Sequence, residues 1–264
     1  MTSSEKLYVV KIGGNIIDDE LKLDEFLNDF AKLEGKKILI HGGGKLATKL
    51  AKLLNIPQVM VEGRRITDAE TLKVITMVYA GHINKRIVAA LNAKDCKSIG
   101  LTGTDGDFIQ AHKRPVKNID YGFVGDIDNV NPDLLISLFH QQLTAVVAPL
   151  TADRKGQLLN TNADTIAKEI AVAMAKYFEV HLVYTFEKRG VLSDFNDENT
   201  AIPLLSFNLY QHFKQEEKIF AGMIPKLDNA YAAISGGVAS VRVGDAKDLK
   251  LLVNGTTGTR LIYD

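Results

Sequence analysis

Leu7-Tyr8-Val9-Val10-Lys11-Ile12-Gly13-Gly14 decides the fold. An apolar run closed by paired glycines reads as a short buried strand that ends in a tight turn. Outward from it the period changes: Leu23, Phe26, Leu27, Phe30 and Leu33 recur at helical spacing within Asp19 to Leu33. Lys37 to His41 encloses Ile38-Leu39-Ile40, a second buried strand closed by Gly42-Gly43-Gly44, and Leu46 to Leu54 is helical again. Strand, helix, strand, glycine turn and helix predict a parallel sheet with crossover helices.

Further along, Val59 to Ile66 and Phe108 to Ile127 alternate apolar and polar residues between glycines, which predicts hairpins at the sheet edge or over a site. Asp68 to Leu91 predicts a long helix whose acidic start suits the helix dipole. Leu101 to Gly106 is glycine-rich and polar. Pro132 opens another helix, and Ala145-Val146-Val147-Ala148 reads as a buried strand. An alanine-rich helix is expected from Asp164 to Ala175 and a strand from Val180 to Tyr184. Leu209–Phe213 and Leu227–Ile234 predict helices, Val238–Val243 a strand, and Leu251–Val253 and Thr259–Ile262 two short strands. No repeat, low-complexity tract or long linker interrupts the chain. The expected lobe boundary lies near Lys176-Tyr177, giving lobes 1–176 and 177–264.

Bulk properties narrow the function classes. With 264 residues and 46% apolar content the chain can bury a large core. Its 32 basic and 32 acidic residues cancel, which argues against a general nucleic-acid binder. The single cysteine, Cys96, excludes an internal disulfide and reads as a small buried residue without a partner motif. No apolar stretch approaches the ~20 residues of a membrane span, and Met1 to Lys6 lacks the features of a signal peptide. A cytoplasmic protein without a membrane partner is expected.

The chemistry gathers at the glycine turns. Gly13-Gly14 and Gly42-Gly43-Gly44 let backbone N–H groups converge on an anion, and a following helix adds its dipole. Either turn alone is equally a plain strand-to-helix connection; two at consecutive strand ends shift the balance toward anion binding. Lys11 ends the first strand, where open α/β sheets place ligands. Lys226, in Gly222-Met223-Ile224-Pro225-Lys226, is a second lysine that follows a glycine. The loop Asn160-Thr161-Asn162-Ala163-Asp164 precedes the alanine-rich helix. Together these suggest a site that handles phosphate. It is no P-loop, because Leu46 stands where Ser or Thr is required, and no G-x-G-x-x-G follows the first strand. Arg65 has the fork that grips a carboxylate, or is a surface arginine. His41 reads as a structural strand-end histidine rather than a general base.

Read in order, Lys11-Ile12-Gly13-Gly14, His41-Gly42-Gly43-Gly44 and Gly63-Arg64-Arg65-Ile66-Thr67-Asp68 begin a longer series. Gly81-His82-Ile83-Asn84-Lys85, Gly122-Phe123-Val124-Gly125-Asp126, Val130-Asn131-Pro132 and Gly156-Gln157 to Asp164 continue it. Gly222 to Lys226 and Gly255-Thr256-Thr257-Gly258-Thr259 close it. In order and spacing, nearly end to end, the series resembles the amino-acid kinase family, in its branch that phosphorylates N-acyl-glutamates for arginine biosynthesis.

The resemblance implies an open αβα sandwich on a mainly parallel eight-stranded sheet. It implies phosphoryl transfer from ATP to the γ-carboxylate of an N-acyl-L-glutamate, N-acetyl-L-glutamate foremost, with Mg²⁺ arriving on the ATP phosphates and no protein metal site. The lobe 1–176 would hold the acyl amino acid and form a homodimer; the lobe 177–264 would hold ATP. Lys11 and Lys226 would flank the transferring group and Asp164 would orient both. Gly43, Gly44, Arg65 and Asn160 would bind the acyl amino acid. Gly14, Glu187, Lys188, Arg189, Gly190, Ile219 and Phe220 would line the nucleotide site. A carboxylate nucleophile is already ionised at neutral pH, so no general base is required. Two departures stand out. Phe186-Glu187-Lys188-Arg189 replaces the family's usual Ser/Thr-Asp-Val, and Arg64 replaces an apolar residue. Arg64 either points to solvent or meets a second carboxylate, as in N-succinyl-L-glutamate. Arginine-inhibited members carry an extra N-terminal helix, and the few residues before the first strand lead to the expectation of a dimer not inhibited through such a helix. Other acid substrates within the family, and a non-catalytic sensing module, are the competing readings. Retention of Lys11, Asp164 and Lys226 together argues against the module.

Overall fold

The computed structural model describes residues 5–61, 64–194, 196–216, 218–219 and 223–264. In chain order its elements begin with β1 (Lys6–Ile12), α1 (Gly14–Ile17), α2 (Glu20–Ala31), β2 (Lys36–His41) and α3 (Gly44–Leu53). A small hairpin of β3 (Met60–Val61) and β4 (Arg64–Arg65) leads into α4 (Ala69–Thr76), a π-helical stretch (Met77–Ile83) and α5 (Asn84–Asn92). Next come β5 (Ser98–Thr102), β6 (Ile109–Lys113), β7 (Gly125–Val130), α6 (Asp133–His140), β8 (Thr144–Ala148), β9 (Leu150–Ala152) and β10 (Leu158–Asn160). The remainder runs α7 (Ala163–Met174), β11 (Glu179–Phe186), β12 (Leu204–Ser206), α8 (Phe207–Gln215) and α9 (Ile224–Ser235). It ends with β13 (Ser240–Asp245), α10 (Leu249–Val253) and β14 (Thr259–Ile262).

The eight-stranded sheet has the order β12-β14-β13-β11-β1-β2-β8-β5. Its pairs are parallel except β13 with β14, as the strand–helix alternation requires. The middle strands are apolar on both faces, and successive side chains divide between two layers. Val9, Ile38, Ile40, Val147 and Leu182 meet α7 and α9 on one side. Val10, Ile12, Leu39, Val146 and Val183 meet α2, α5 and α10 on the other. The result is the αβα sandwich that the sequence led us to expect. Among the described residues no helix is long and apolar enough to cross a membrane.

Both predicted hairpins form, β3–β4 and β6–β7, the latter with a bulge between Gln110 and Ala111. β6 and β7 join β9 and β10 in a second, four-stranded sheet. The sequence pattern misassigns Leu251–Val253, which is helical. Leu249 and Leu252 are buried three apart while Leu251 is 44% exposed, a helical rather than an alternating rhythm. β5 and the three-residue strands β9, β10 and β12 were not anticipated, because Gly100 dilutes the first and the others are too short to show a period. The long helix predicted from Asp68 exists, capped by the Asp68 carboxylate on Thr71 N–H, but its middle is wound as a π-helix.

Residues 121–123 stitch the hairpin exit to the smaller sheet. Thr67 N–H donates to Tyr121 O at 2.9 Å, Phe123 N–H to Thr67 O at 2.7 Å, and Asn160 N–H to Phe123 O at 2.9 Å. Gly122 sits between them at φ +73°, and a Cβ there would strike the Thr67 carbonyl. Backbone cannot yield as a side-chain tip can. Gly122→Ala is therefore expected to destabilise the fold by about 1–3 kcal/mol, seen as a lower urea midpoint at unchanged m-value.

Candidate active site

The carboxyl end of β1 delivers Lys11 to the centre of the sheet edge, two residues before the turn at Gly13-Gly14. Asp164 lies in the first turn of α7, whose N-terminus is fixed by Asn162, its side-chain oxygen accepting from Thr165 N–H at 3.0 Å. Lys226 lies in the first turn of α9, just after Pro225. The three meet. Lys11 Nζ is 2.9 Å from Asp164 Oδ1, and Lys226 Nζ is 3.0 Å from both carboxylate oxygens. Lys226 also stands over the Tyr184 ring at 5.3 Å, and the Tyr184 hydroxyl donates to the Asp164 carbonyl at 3.0 Å.

Burial would raise the Asp164 pKa, but the two ammonium groups outweigh it and hold the carboxyl well below the usual carboxylate range. The helix N-terminus favours the same charge. For Lys226, burial works against the cation, Asp164 supports it and Lys11 opposes it; the ammonium is pushed down to about 8. One carboxylate between two ammonium groups leaves a single net positive charge, set to receive an anion.

Beside this cluster opens a cavity of about 400 Å³, within the usual size range of small-molecule sites. Lys11, Gly13, Gly14 and Lys226 form its polar end. Ile16, Phe186, Val191, Leu192, Ile219 and Met223 supply apolar wall. Of the residues expected to bind nucleotide, Gly14, Glu187, Lys188, Gly190 and Ile219 line it. Arg189 is exposed and does not; Phe220 lies outside the described residues. Sequence reasoning missed Asn15, whose amide bonds Glu187, and the apolar wall at Val191, Leu192 and Met223. Phe186 and Leu192 flank the segment already singled out, so its neighbours carried the signal.

The residues expected to hold the acyl amino acid surround α3 and the small hairpin. Gly43 has φ +154°, and a Cβ there would meet Ile83. Arg65 is buried; its Nη2 donates to the Gly44 carbonyl and to Thr48 Oγ1, both at 2.9 Å, and its Nη1 bonds Gln58. The guanidinium is thus not the free fork that sequence suggested. Arg64 on the same strand is exposed. Asn160 Nδ2 donates to Thr67 Oγ1 at 3.0 Å, which ties the loop to the hairpin exit. His41 is fully buried: Nε2 faces the Asn84 amide at 3.2 Å and Nδ1 faces Gly42 O at 2.8 Å. Burial pushes its pKa down to about 4, so it stays neutral and holds the glycine turn. Cys96 is buried beside Thr144.

Comparison with known proteins follows the same lines. The model of the amino acid kinase family matches residues 6–245. The chain belongs to the amino acid kinase family. It is 54% identical to the acetylglutamate kinase of Cytophaga hutchinsonii over 98% of this chain and 99% of that one. It is also 54% identical to that of Parabacteroides distasonis, over 93% and 96%. Among solved structures, N-acetylglutamate synthase of Neisseria gonorrhoeae superposes with TM-score 0.83 at 22% identity, covering 99% of this chain and 60% of that one. Carbamate kinase of Giardia lamblia superposes with TM-score 0.71 at 13% identity over the full length of both. These structures share the fold.

Removing the carboxylate would leave two buried ammonium groups facing each other. Asp164→Asn is expected to cost about 3–5 kcal/mol of unfolding free energy, measured in urea at pH 7. Adding Lys226→Met to that variant should recover part of the loss.

Proposed function

We propose that the chain transfers the γ-phosphoryl group of ATP to the γ-carboxylate of an N-acyl-L-glutamate, N-acetyl-L-glutamate foremost, as a step of arginine biosynthesis. The observation that carries this reading is the pairing of end-to-end identity to acetylglutamate kinases with the Lys11–Asp164–Lys226 cluster at the cavity's polar end. Lys11 and Lys226 stabilise the charge on the transferring phosphoryl group from opposite sides, and Asp164 positions both. Gly13 and Gly14 N–H groups complete the cradle. Catalysis of this kind rests on alignment and preorganised charge, and the acceptor carboxylate needs no base.

The lobes divide the work in this reading. Residues 177–264 hold the nucleotide on the apolar wall from Phe186 to Leu192 with Ile219 and Met223. Residues 1–176 hold the acyl amino acid near Gly43, Gly44, Arg65 and Asn160. Mg²⁺ would arrive on the triphosphate and would neutralise part of its charge. Among the described residues no group of three His, Cys, Asp or Glu side chains is placed to hold a metal ion, and Asp164 is taken by the lysines. The chain acts as a homodimer in this proposal. Exposed Leu53, Leu54, Val59, Met60 and Met77, all in the lobe 1–176, support a second copy there; light scattering that gives a hexamer would refute it.

A coupled ATP assay with N-acetyl-L-glutamate, N-succinyl-L-glutamate, aspartate and glutamate tests the activity. Turnover of an N-acyl-glutamate well above the free amino acids is expected; none would sink the proposal. A succinyl preference would draw the exposed Arg64 into the site. Lys226→Ala should lower kcat by about 10²–10³-fold, about 2.7–4 kcal/mol, with little change in KM. Lys226 is charged below about pH 8 and neutral above it, so kcat/KM should fall as pH rises through that value, and Lys226→Arg should remove the fall. Stability moves the other way. Between about 8 and the ordinary 10.5 the unfolded chain keeps a proton that the folded chain has released, so this group's contribution to stability rises with pH.

A further inference from the structure

Tyr79 lies in the π-helical stretch Met77–Ile83, where the helix from Ala69 to Asn92 departs from α geometry. Such departures cluster at functional sites. The side chain is turned inward, 6% exposed. Its ring packs on the glycine turn: a Cβ at Gly43 would lie 3.0 Å from Tyr79 Cδ1, so only glycine lets the ring come this close. Its hydroxyl reaches the start of α3, 3.9 Å from where a Gly44 Cβ would stand, and lies beside the Arg65 guanidinium.

A guanidinium donates and never accepts. The phenol oxygen is placed to take a hydrogen bond from Arg65, which leaves the phenol proton to be donated elsewhere. That donor lies among Gly44, Arg65 and the glycine turn. The partner it suits is an anion brought by the ligand. Arg65, meanwhile, spends its Nη1 and Nη2 groups on Gln58, Thr48 and the Gly44 carbonyl. The site needs a further donor if it is to hold a carboxylate.

We propose that the Tyr79 hydroxyl donates to the α-carboxylate of the acyl amino acid, making Tyr79 a substrate-binding residue set in place by the π-helical stretch. The assignment rests on the reading of the Gly44–Arg65 region as the acyl amino acid site.

Tyr79→Phe keeps the ring on Gly43 and removes only the hydroxyl. For this variant KM for N-acetyl-L-glutamate should rise roughly tenfold or more, the loss of a hydrogen bond to a charged group, while KM for ATP and the melting temperature hold. Calorimetric titration with N-acetyl-L-glutamate should show the same weakening. With N-acetyl-4-aminobutyrate, which keeps the γ-carboxylate and lacks the α-carboxylate, wild type and variant should bind alike. If wild type phosphorylates N-acetyl-L-glutamate and the variant's KM is unchanged, or both KM values rise equally, the Tyr79 assignment is wrong and the reading of the site stands. If wild type neither binds nor phosphorylates any N-acyl-glutamate, the reading itself fails and takes the assignment with it.

Discussion

One carboxylate shared by two ammonium groups organises this molecule. Asp164 comes from the first turn of α7, Lys11 from the end of β1 and Lys226 from the first turn of α9, so three distant segments are fixed to one point. None of the three is comfortable alone. A buried carboxylate would protonate, and a buried lysine would shed its proton; each charge persists because the others are there. Like charges face each other across Asp164, so the arrangement is a poor way to gain stability. Its value lies in the positive charge left over, held rigid before any ligand arrives.

That point exists because of the strand order. β1 lies between β11 and β2, and α7 and α9 pack on the same side of the sheet. Two glycine turns then lie at neighbouring strand ends, the first of them, Gly13-Gly14, at the polar end of the cavity. Behind the second turn, the neutral His41 and the amide of Asn84 form a buried polar support, with Asn84 also donating to Val146 O at 2.9 Å. The turn is held by groups that carry no charge, which keeps the field in the cleft set by the lysines and Asp164.

The sandwich was legible in the sequence because its central strands and main helices show clean periods over many residues. The meeting of Lys11, Asp164 and Lys226 was legible because glycine turns and Lys11 sit at strand ends, and the family pattern linked Asp164 to both lysines. What escaped notice had physical reasons. β9, β10 and β12 are three residues each, shorter than any period can reveal. Leu251–Val253 offered three apolar residues in a row, and only the neighbouring strand showed which were buried. The crowding of Arg65 by Gln58, Thr48 and Gly44 is a matter of tertiary approach. So is the placing of Tyr79: in sequence it is one more apolar member of a helical stripe, and the π-helical winding beneath it leaves no trace in periodicity.

The position of β14 has a consequence for biosynthesis. This strand follows every other strand in the chain, yet it lies inside the sheet, antiparallel to β13 and parallel to β12. β1, the earliest, is central and needs β11 on one side. A chain leaving the ribosome from its N-terminus therefore presents an apolar strand whose neighbour has not been made, and its far edge stays open until the last strand slides between two already formed. A ribosome that stops before Thr259 releases a chain without the strand that joins β12 to β13.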